Sequence, residues 1–354
     1  MRLLLATDWA DWEQAGFENA VEAFPATHVD VIRDHSHVSR RAGRYVAGVL
    51  AAARVIARMP NYDAALAWQQ VVGMAVAVLA PSSRLRRCPL TIMGFIWSDS
   101  GSAAVRKTRR LATARGLRRA AAIVCYSSAE AERLCSAFPA VAAKVHYCRL
   151  GFDVPPQLEV REAPERRVIV SAGASNRDYS ALWAAAAAVP ATILVFAQPQ
   201  TIQTAIPAPA NLHVEQEFDW PRFFAAMAGA RAVVIPIDDP HKTAGQLVAL
   251  QAMHLGRAIV ATDCDGLRDY LRDGVTAILV PAHDAGRLSE ALTMVVTDDG
   301  LAERLGDAAR REAEELLTAG AFWSRVLGIV QATCKDAASG AHRTFADRGR
   351  DRGC

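Results

Sequence analysis

Lys242 is followed at once by Thr243, Ala244, Gly245 and Gln246, a run whose chemistry suits an anion. Ala244 and Gly245 carry almost no side chain, so backbone N–H groups at a helix start there can meet a ligand directly. The helix dipole and the Lys242 ammonium add positive potential at the same point, which fits a diphosphate. Thr243 is a suitable N-cap for a helix beginning near Thr243 or Ala244. Gln251 lies two turns further along, on the face of Ala244, where its amide could hydrogen-bond a ribose hydroxyl. An ordinary strand–loop–helix with a small-residue packing face would have the same composition. A second cation, Arg177, stands in the loop Ser171-Ala172-Gly173-Ala174-Ser175-Asn176-Arg177-Asp178-Tyr179. Its guanidinium fork matches a diphosphate, although a salt bridge to Asp178 would occupy the same group. His241 adjoins this set as a further candidate contact.

Carboxylates able to act as a general base cluster near the start of the chain. Asp8, Asp11 and Glu13 follow the first apolar run, Trp9 and Trp12 could stack on a sugar face, and Gly16 opens the next helix. Asp99 is a similar candidate further on. A solvated acidic loop before a helix is the competing reading of Asp8 to Gly16. Nine histidines show neither HxxxH nor HExxH spacing, so no metal is implied. Seven scattered cysteines form no CxxC pair, which argues against a disulfide framework or a Cys-based zinc site and for a reducing cytoplasm.

The elements that must position these residues alternate. With 354 residues the chain should form about two domains. Its 52% hydrophobic and 22% charged content excludes disordered and collagen-like classes. Short apolar runs at Arg2–Thr7, Val29–Arg33, Ala64–Ala67, Leu90–Ile96 and Ala121–Tyr126 read as buried parallel strands with helices between them. A break at Leu150–Pro156 and a charged stretch after it read as a linker. The alternation then resumes with strands at 167–171, 192–196, 212–214, 232–236, 258–262 and 277–280. Helices are expected at 179–187, 220–228, 245–255, 266–271, 285–296, 300–315 and 319–334. The class is therefore α/β, with two doubly wound, Rossmann-like sheets. The expected domains are 1–150 and 151–318, with the helix 319–334 packing back on the first domain and 335–354 as a disordered tail. No GxGxxG follows the first strand, which argues against an ordinary dehydrogenase.

One stretch is specific. It runs Gln251-Ala252-Met253-His254-Leu255-Gly256-Arg257-Ala258-Ile259-Val260-Ala261-Thr262-Asp263, then Asp265-Gly266-Leu267-Arg268-Asp269, then Asp273-Gly274-Val275-Thr276-Ala277-Ile278-Leu279-Val280-Pro281. In order and spacing this resembles the retaining glycosyltransferases of family 4, which have the GT-B fold. Leu150-Gly151-Phe152-Asp153 looks like the family's interdomain junction, and Tyr126-Ser127-Ser128-Ala129-Glu130 like the end of its last N-domain strand. The resemblance implies two Rossmann-like domains facing across a cleft, the first holding an acceptor and the second a nucleotide diphosphate sugar. That donor is a co-substrate; neither cofactor nor metal is implied. Arg177, Lys242, Thr243, Ala244, Gly245 and Gln246 would then hold the diphosphate, Gln251 and Gly173 the ribose and base. Trp9, Trp12 and Gly16 would line the acceptor side.

Departures from the family pattern are equally specific. Its two motif glutamates fall at Thr243 and Gln251, Ala174 stands where arginine is common, and Ile92 to Asp99 lacks the expected histidine. Retention is the implied outcome, while an inverting enzyme using Asp8, Asp11 or Asp99 as base stays open. So do a non-catalytic GT-B-like subunit of a partner enzyme and a sugar-nucleotide epimerase on the same fold.

Charge is unevenly spread. Residues 1–150 carry 20 basic and 11 acidic side chains, residues 151–354 carry 20 and 26, and within 36–119 the ratio is 15 to 2. Val38 to Met59 reads as a basic amphipathic helix with Val, Leu and Ile opposite Arg44, Arg54 and Arg58, a pattern that suits an anionic membrane surface or a solvated face. Nucleic acid is not expected, since no aromatic residues interleave with the arginines. The apolar start is too short for a signal peptide and no segment reads as a membrane span. A cytoplasmic protein is expected, with membrane association as an alternative.

Overall fold

The computed structural model describes residues 1–7, 17, 21–22, 27–33, 41–99, 101–154, 165–198, 201–202, 204, 207–215 and 219–339. The chain forms two compact units, one from Met1–Cys148 with the chain from Phe322 onward, the other from Arg149–Ala321. Strands of the first unit are β1 (Arg2–Thr7), β2 (His28–Arg33), β3 (Ala64–Ala67), β4 (Leu90–Met93), β5 (Ala122–Cys125) and β6 (Val145–Tyr147). Helices α1 (Arg41–Arg58), α2 (Gln70–Leu79), α3 (Ser82–Arg87), α4 (Ala103–Arg119) and α5 (Ser128–Ala137) alternate with them. The second unit contains β7 (Glu165–Ala172), β8 (Thr192–Phe196), β9 (Leu212–Glu215), β10 (Ala230–Ile235), β11 (Ala258–Thr262) and β12 (Ile278–Val280). Its helices are α6 (Tyr179–Ala186), α7 (Trp220–Gly229), α8 (Gln246–His254), α9 (Ala285–Thr297) and α10 (Asp299–Leu316), and the chain then enters α11 (Ala319–Ala338).

Both sheets are parallel, in the orders β2-β1-β3-β4-β5-β6 and β12-β11-β10-β7-β8-β9. Strands covered on both faces are mostly apolar, and β3, β4, β5, β10 and β11 are buried at every position, with Thr91, Arg231 and Thr262 as their polar members. That is why apolar runs located them. Two elements escaped the sequence reading: β6 is only three residues long, and the arginine-rich α3 buries only Leu85. One expected helix is absent. Residues 266–271 form successive turns, with Leu267 N–H on Cys264 O and Tyr270 N–H on Leu267 O.

The last helix packs on the first unit because it carries that unit's missing apolar surface. Phe322, Trp323, Val326, Leu327 and Val330 are buried, and Trp68 meets Phe322 at 6.0 Å and Trp323 at 5.3 Å between ring centroids. Burying large side chains of this kind is worth roughly 1.5–3 kcal/mol each. The helix continues to Ala338, past the expected stop at Cys334, and residues 340–354 lie outside the described residues.

Helix α1 corrects another expectation. Its large apolar side chains do not oppose the arginines. The core side is made of Gly48, Ala51, Ala52 and Val55, whereas Tyr45, Val46, Val49 and Leu50 are exposed on the same side as Arg54 and Arg58. Packing on α2 is close at one point: a Cβ at Gly48 would stand 2.7 Å from Val71 Cγ1, so position 48 admits no larger side chain.

Candidate functional site at the switch point of the second sheet

The chain leaves β7 toward β8 and β9 on one side and returns through β10, β11 and β12 on the other. The loops after β7 and β10 therefore diverge at the carboxyl edges of adjacent strands, where open α/β sheets form ligand crevices. These are the two loops that carry Arg177 and Lys242.

Asn176 joins them. Held at φ 55°, it donates from Nδ2 to Asp239 O at 2.9 Å and Lys242 O at 3.2 Å, and its Oδ1 accepts the Asp239 N–H at 3.0 Å. Asp178 N–H bonds Pro236 O, and Asp238 N–H bonds Asn176 O. Asp178 also caps α6 through Ala181 N–H and faces His283 Nδ1 at 2.9 Å, tying in the loop after β12. Asparagine tolerates this left-handed conformation better than most residues. The sequence reading gave Asn176 no role and Asp178 only that of a salt-bridge partner for Arg177; the one signal that could have found them is a pair of Asx residues in the loop after a strand.

Arg177 does not extend freely from its loop. Its Nε donates to Ala172 O at 2.9 Å and Nη1 to Ser175 O at 2.8 Å, and no ion pair to Asp178 forms. Desolvation lowers its pKa from the ordinary guanidinium value. Gly173, at φ 115°, leaves room for it: a Cβ there would lie 2.4 Å from Arg177 Nη2. Gly173's own carbonyl accepts the Tyr179 hydroxyl at 2.6 Å.

The turn before α8 differs from expectation in one respect. The helix begins at Gln246 and its N-cap is Gly245 in the left-handed region, φ 91°; Thr243 is buried and does not cap it. A Cβ at Gly245 would come 3.0 Å from Ile235 Cγ2, so the strand below also favours glycine. The N–H groups of the first α8 turn lack intrahelical acceptors, as at any helix start. Lys242 is exposed, and its ammonium forms no hydrogen bond or ion pair among the described residues. Acids rim the same loop. Asp238 is exposed, Asp239 accepts the His241 N–H, and Asp265 lies 3.3 Å from His241 Nδ1. Arg268 pairs with Asp265 and, more closely, with Asp263, whose carboxyl it holds below the usual range.

Gln251 sits inside, 1% exposed, with Nε2 lacking a hydrogen-bond partner. An unpaired buried amide costs roughly 1–3 kcal/mol. Gln251→Met, which keeps the volume and removes the donor, is expected to raise unfolding stability by about 1 kcal/mol in urea titrations. A lower urea midpoint would mean that the amide has a partner.

The other candidates divide. Asp8, Trp9, Asp11, Trp12 and Gly16 lie outside the described residues. Asp99 is exposed at the end of the loop after β4, a loop held by Gln70 Oε1 on Ile96 N–H and Glu130 Oε1 on Trp97 N–H.

Residues 211–298, from β9 to α9, match the family described as Glycosyl transferases group 1. The whole chain superposes on sucrose-phosphate synthase from Thermosynechococcus elongatus with a TM-score of 0.71 at 17% identity, covering 94% of this chain and 98% of that one. It superposes on Anabaena HepE in complex with UDP and glucose with a TM-score of 0.66 at 18% identity, covering 96% and 100%. This chain has the GT-B fold. Sequence likeness to individual relatives is local: 41% over 68 residues to a D-inositol 3-phosphate glycosyltransferase of Kribbella flavida, 19% of this chain and 16% of that protein. A phosphatidyl-myo-inositol mannosyltransferase of Mycobacterium leprae is 43% identical over 58 residues, 16% of each chain. The chain thus matches less than a fifth of the length of either relative. The group 1 match includes Lys242 to Gln251 and stops short of the Arg177 loop, which lies upstream of it.

Proposed function

We propose that this protein transfers a sugar from a nucleotide diphosphate sugar to an acceptor hydroxyl, with the donor held by the second unit and the acceptor by the first. One observation carries the reading. Lys242, whose ammonium has no partner among the described residues, stands beside a glycine-started helix, at the switch point of a GT-B sheet and inside the segment that matches glycosyl transferases group 1. Lys242 and the first-turn N–H groups of α8 meet the donor's diphosphate and take up the negative charge that develops on the leaving group. The acids around the loop repel the same anion, so a full positive charge at 242 is required rather than merely helpful. Arg177 serves mainly to shape the β7 loop, reaching the phosphates only by exchanging its backbone carbonyl partners. Gln251 reaches a ribose only if the donor opens the packing above it. Transfer proceeds with retention, in line with the family resemblance.

Calorimetric titration with UDP and GDP tests this. A charge-assisted hydrogen bond contributes roughly 1.5–3 kcal/mol, so Lys242→Ala should weaken binding of the preferred nucleotide about ten- to a hundred-fold. Unchanged affinity would remove the donor site from this loop. A second reading, a non-catalytic GT-B subunit, is favoured by the uncharged, buried Thr243 and Gln251 at the motif glutamate positions. Nucleotide binding with no turnover over any donor hydrolysis assay would decide for it.

A further inference from the structure

We propose that the outer layer of the first unit, centred on α1, docks on an anionic lipid bilayer. Helices α1, α2 and α4 pack side by side on one face of the first sheet. Their contacts are made close by small residues: Gly48 against Val71, and Gly116, where a Cβ would stand 2.4 Å from Met74 Cε. This packing turns the bulky apolar side chains outward. Tyr45, Val46, Val49 and Leu50 are 64%, 61%, 47% and 59% exposed, whereas Ala51 and Ala52 on the same helix are buried. Leu79 on α2 and Leu111 on α4 add exposures of 55% and 65%. A monomeric water-soluble surface rarely keeps such a stripe, and a helix with alanines in the core and aliphatics in solvent is built to bury them elsewhere.

Charge specifies the occupant. Arg54 and Arg58 continue the exposed stripe of α1, Arg86 and Arg87 are exposed on α3, and Arg106, Lys107, Arg109 and Arg110 are exposed on α4. Several of these and neighbouring arginines are anchored on backbone carbonyls: Arg84 bonds Ile56 O, Arg106 bonds Gly101 O, and Arg110 bonds Ala137 O. Between 41 and 119 only Asp63 and Asp99 are acidic. Apolar side chains flanked by such an excess of cations match a layer with acyl chains beneath anionic headgroups. A second copy of the same face would bring like charges together, and a purely electrostatic partner would leave the aliphatic stripe in water. Among the described residues no helix is long and apolar enough to cross a membrane, so the contact is made from one side.

Vesicle flotation of the full chain tests the proposal. Phosphatidylcholine vesicles are compared with vesicles of phosphatidylcholine and phosphatidylglycerol in about equal parts, at about 0.1 M and about 1 M NaCl, where the Debye length falls from about 10 Å to about 3 Å. Expected is flotation with the anionic vesicles at low salt and much less in the other conditions. Each basic residue at such a surface contributes roughly five-fold, so Arg54→Gln with Arg58→Gln should lower partition about 25-fold. Val49→Ser with Leu50→Ser should lower it about ten-fold, since both side chains are already in solvent and neither change disturbs the core. Circular dichroism and UDP or GDP titration of both variants should match the parent, which separates this test from that of the donor site. Equal partition into neutral vesicles, partition of either double variant equal to the parent's, or a solution dimer dissolved by Leu50→Ser overturns the proposal.

Discussion

Gly306→Ala is expected to lower the unfolding stability of the second unit by about 3 kcal/mol, at the upper end for overpacking by one methyl. Gly306 lies within α10, where a Cβ would stand 2.3 Å from Gly256 O and 2.9 Å from Gly256 C. Both are backbone atoms of the turn that links α8 to β11, and Gly256 is itself left-handed at φ 64°. No side-chain rotation relieves that clash; α10 must move off the turn it covers. Alanine's better helix propensity returns at most about 1 kcal/mol, so the contact decides the sign. Gly328→Ala supplies the opposite control. It is an exposed interior position of α11 with nothing within 4 Å of an added Cβ, and it should be neutral or stabilising by up to about 1 kcal/mol. Urea denaturation followed by circular dichroism reads both. A Gly306→Ala midpoint equal to the parent's would mean that α10 and the Gly256 turn do not approach as described.

Gly245→Val should reduce UDP or GDP affinity more than a hundred-fold, a larger loss than removal of the Lys242 charge. Valine resists φ 91°, and the left-handed conformation costs a β-branched residue roughly 1–3 kcal/mol. Its Cβ would also press on Ile235 Cγ2 at 3.0 Å and on Ile237 Cδ1 and Leu267 Cδ2 at 3.4 Å. The backbone relieves both by rotating, and the first-turn N–H groups of α8 then no longer converge on one anion. Lys242→Ala, in contrast, deletes one charge from an intact frame. Calorimetry therefore orders the variants as parent, Lys242→Ala, Gly245→Val, with the last also losing some stability. A Gly245→Val protein that binds nucleotide like the parent places the anion site away from the α8 start.

What the sequence by itself determined were the features set by neighbours along the chain. Parallel strands in the middle of a sheet are mostly apolar, so the runs of β1, β3, β8 and β11 were legible to their end residues. The small-residue turn beside Lys242, and the resemblance running from Gln251 to Pro281, were likewise visible as spacing alone. Tertiary structure decided whatever depends on residues far apart in sequence. Arg177 reads as a free clamp until Gly173 and its own loop carbonyls enclose it. Gln251 reads as a ribose contact until the chain folds over it, leaving Nε2 without a partner. The N-cap moved from Thr243 to Gly245, which takes the left-handed φ of 91° and lies close against Ile235 on the strand below. On α1 periodicity defined a helix and could not say which stripe faces inward. Gly48 and Val71 settled that, since the close approach of two helices admits only small residues between them and leaves the larger ones in water.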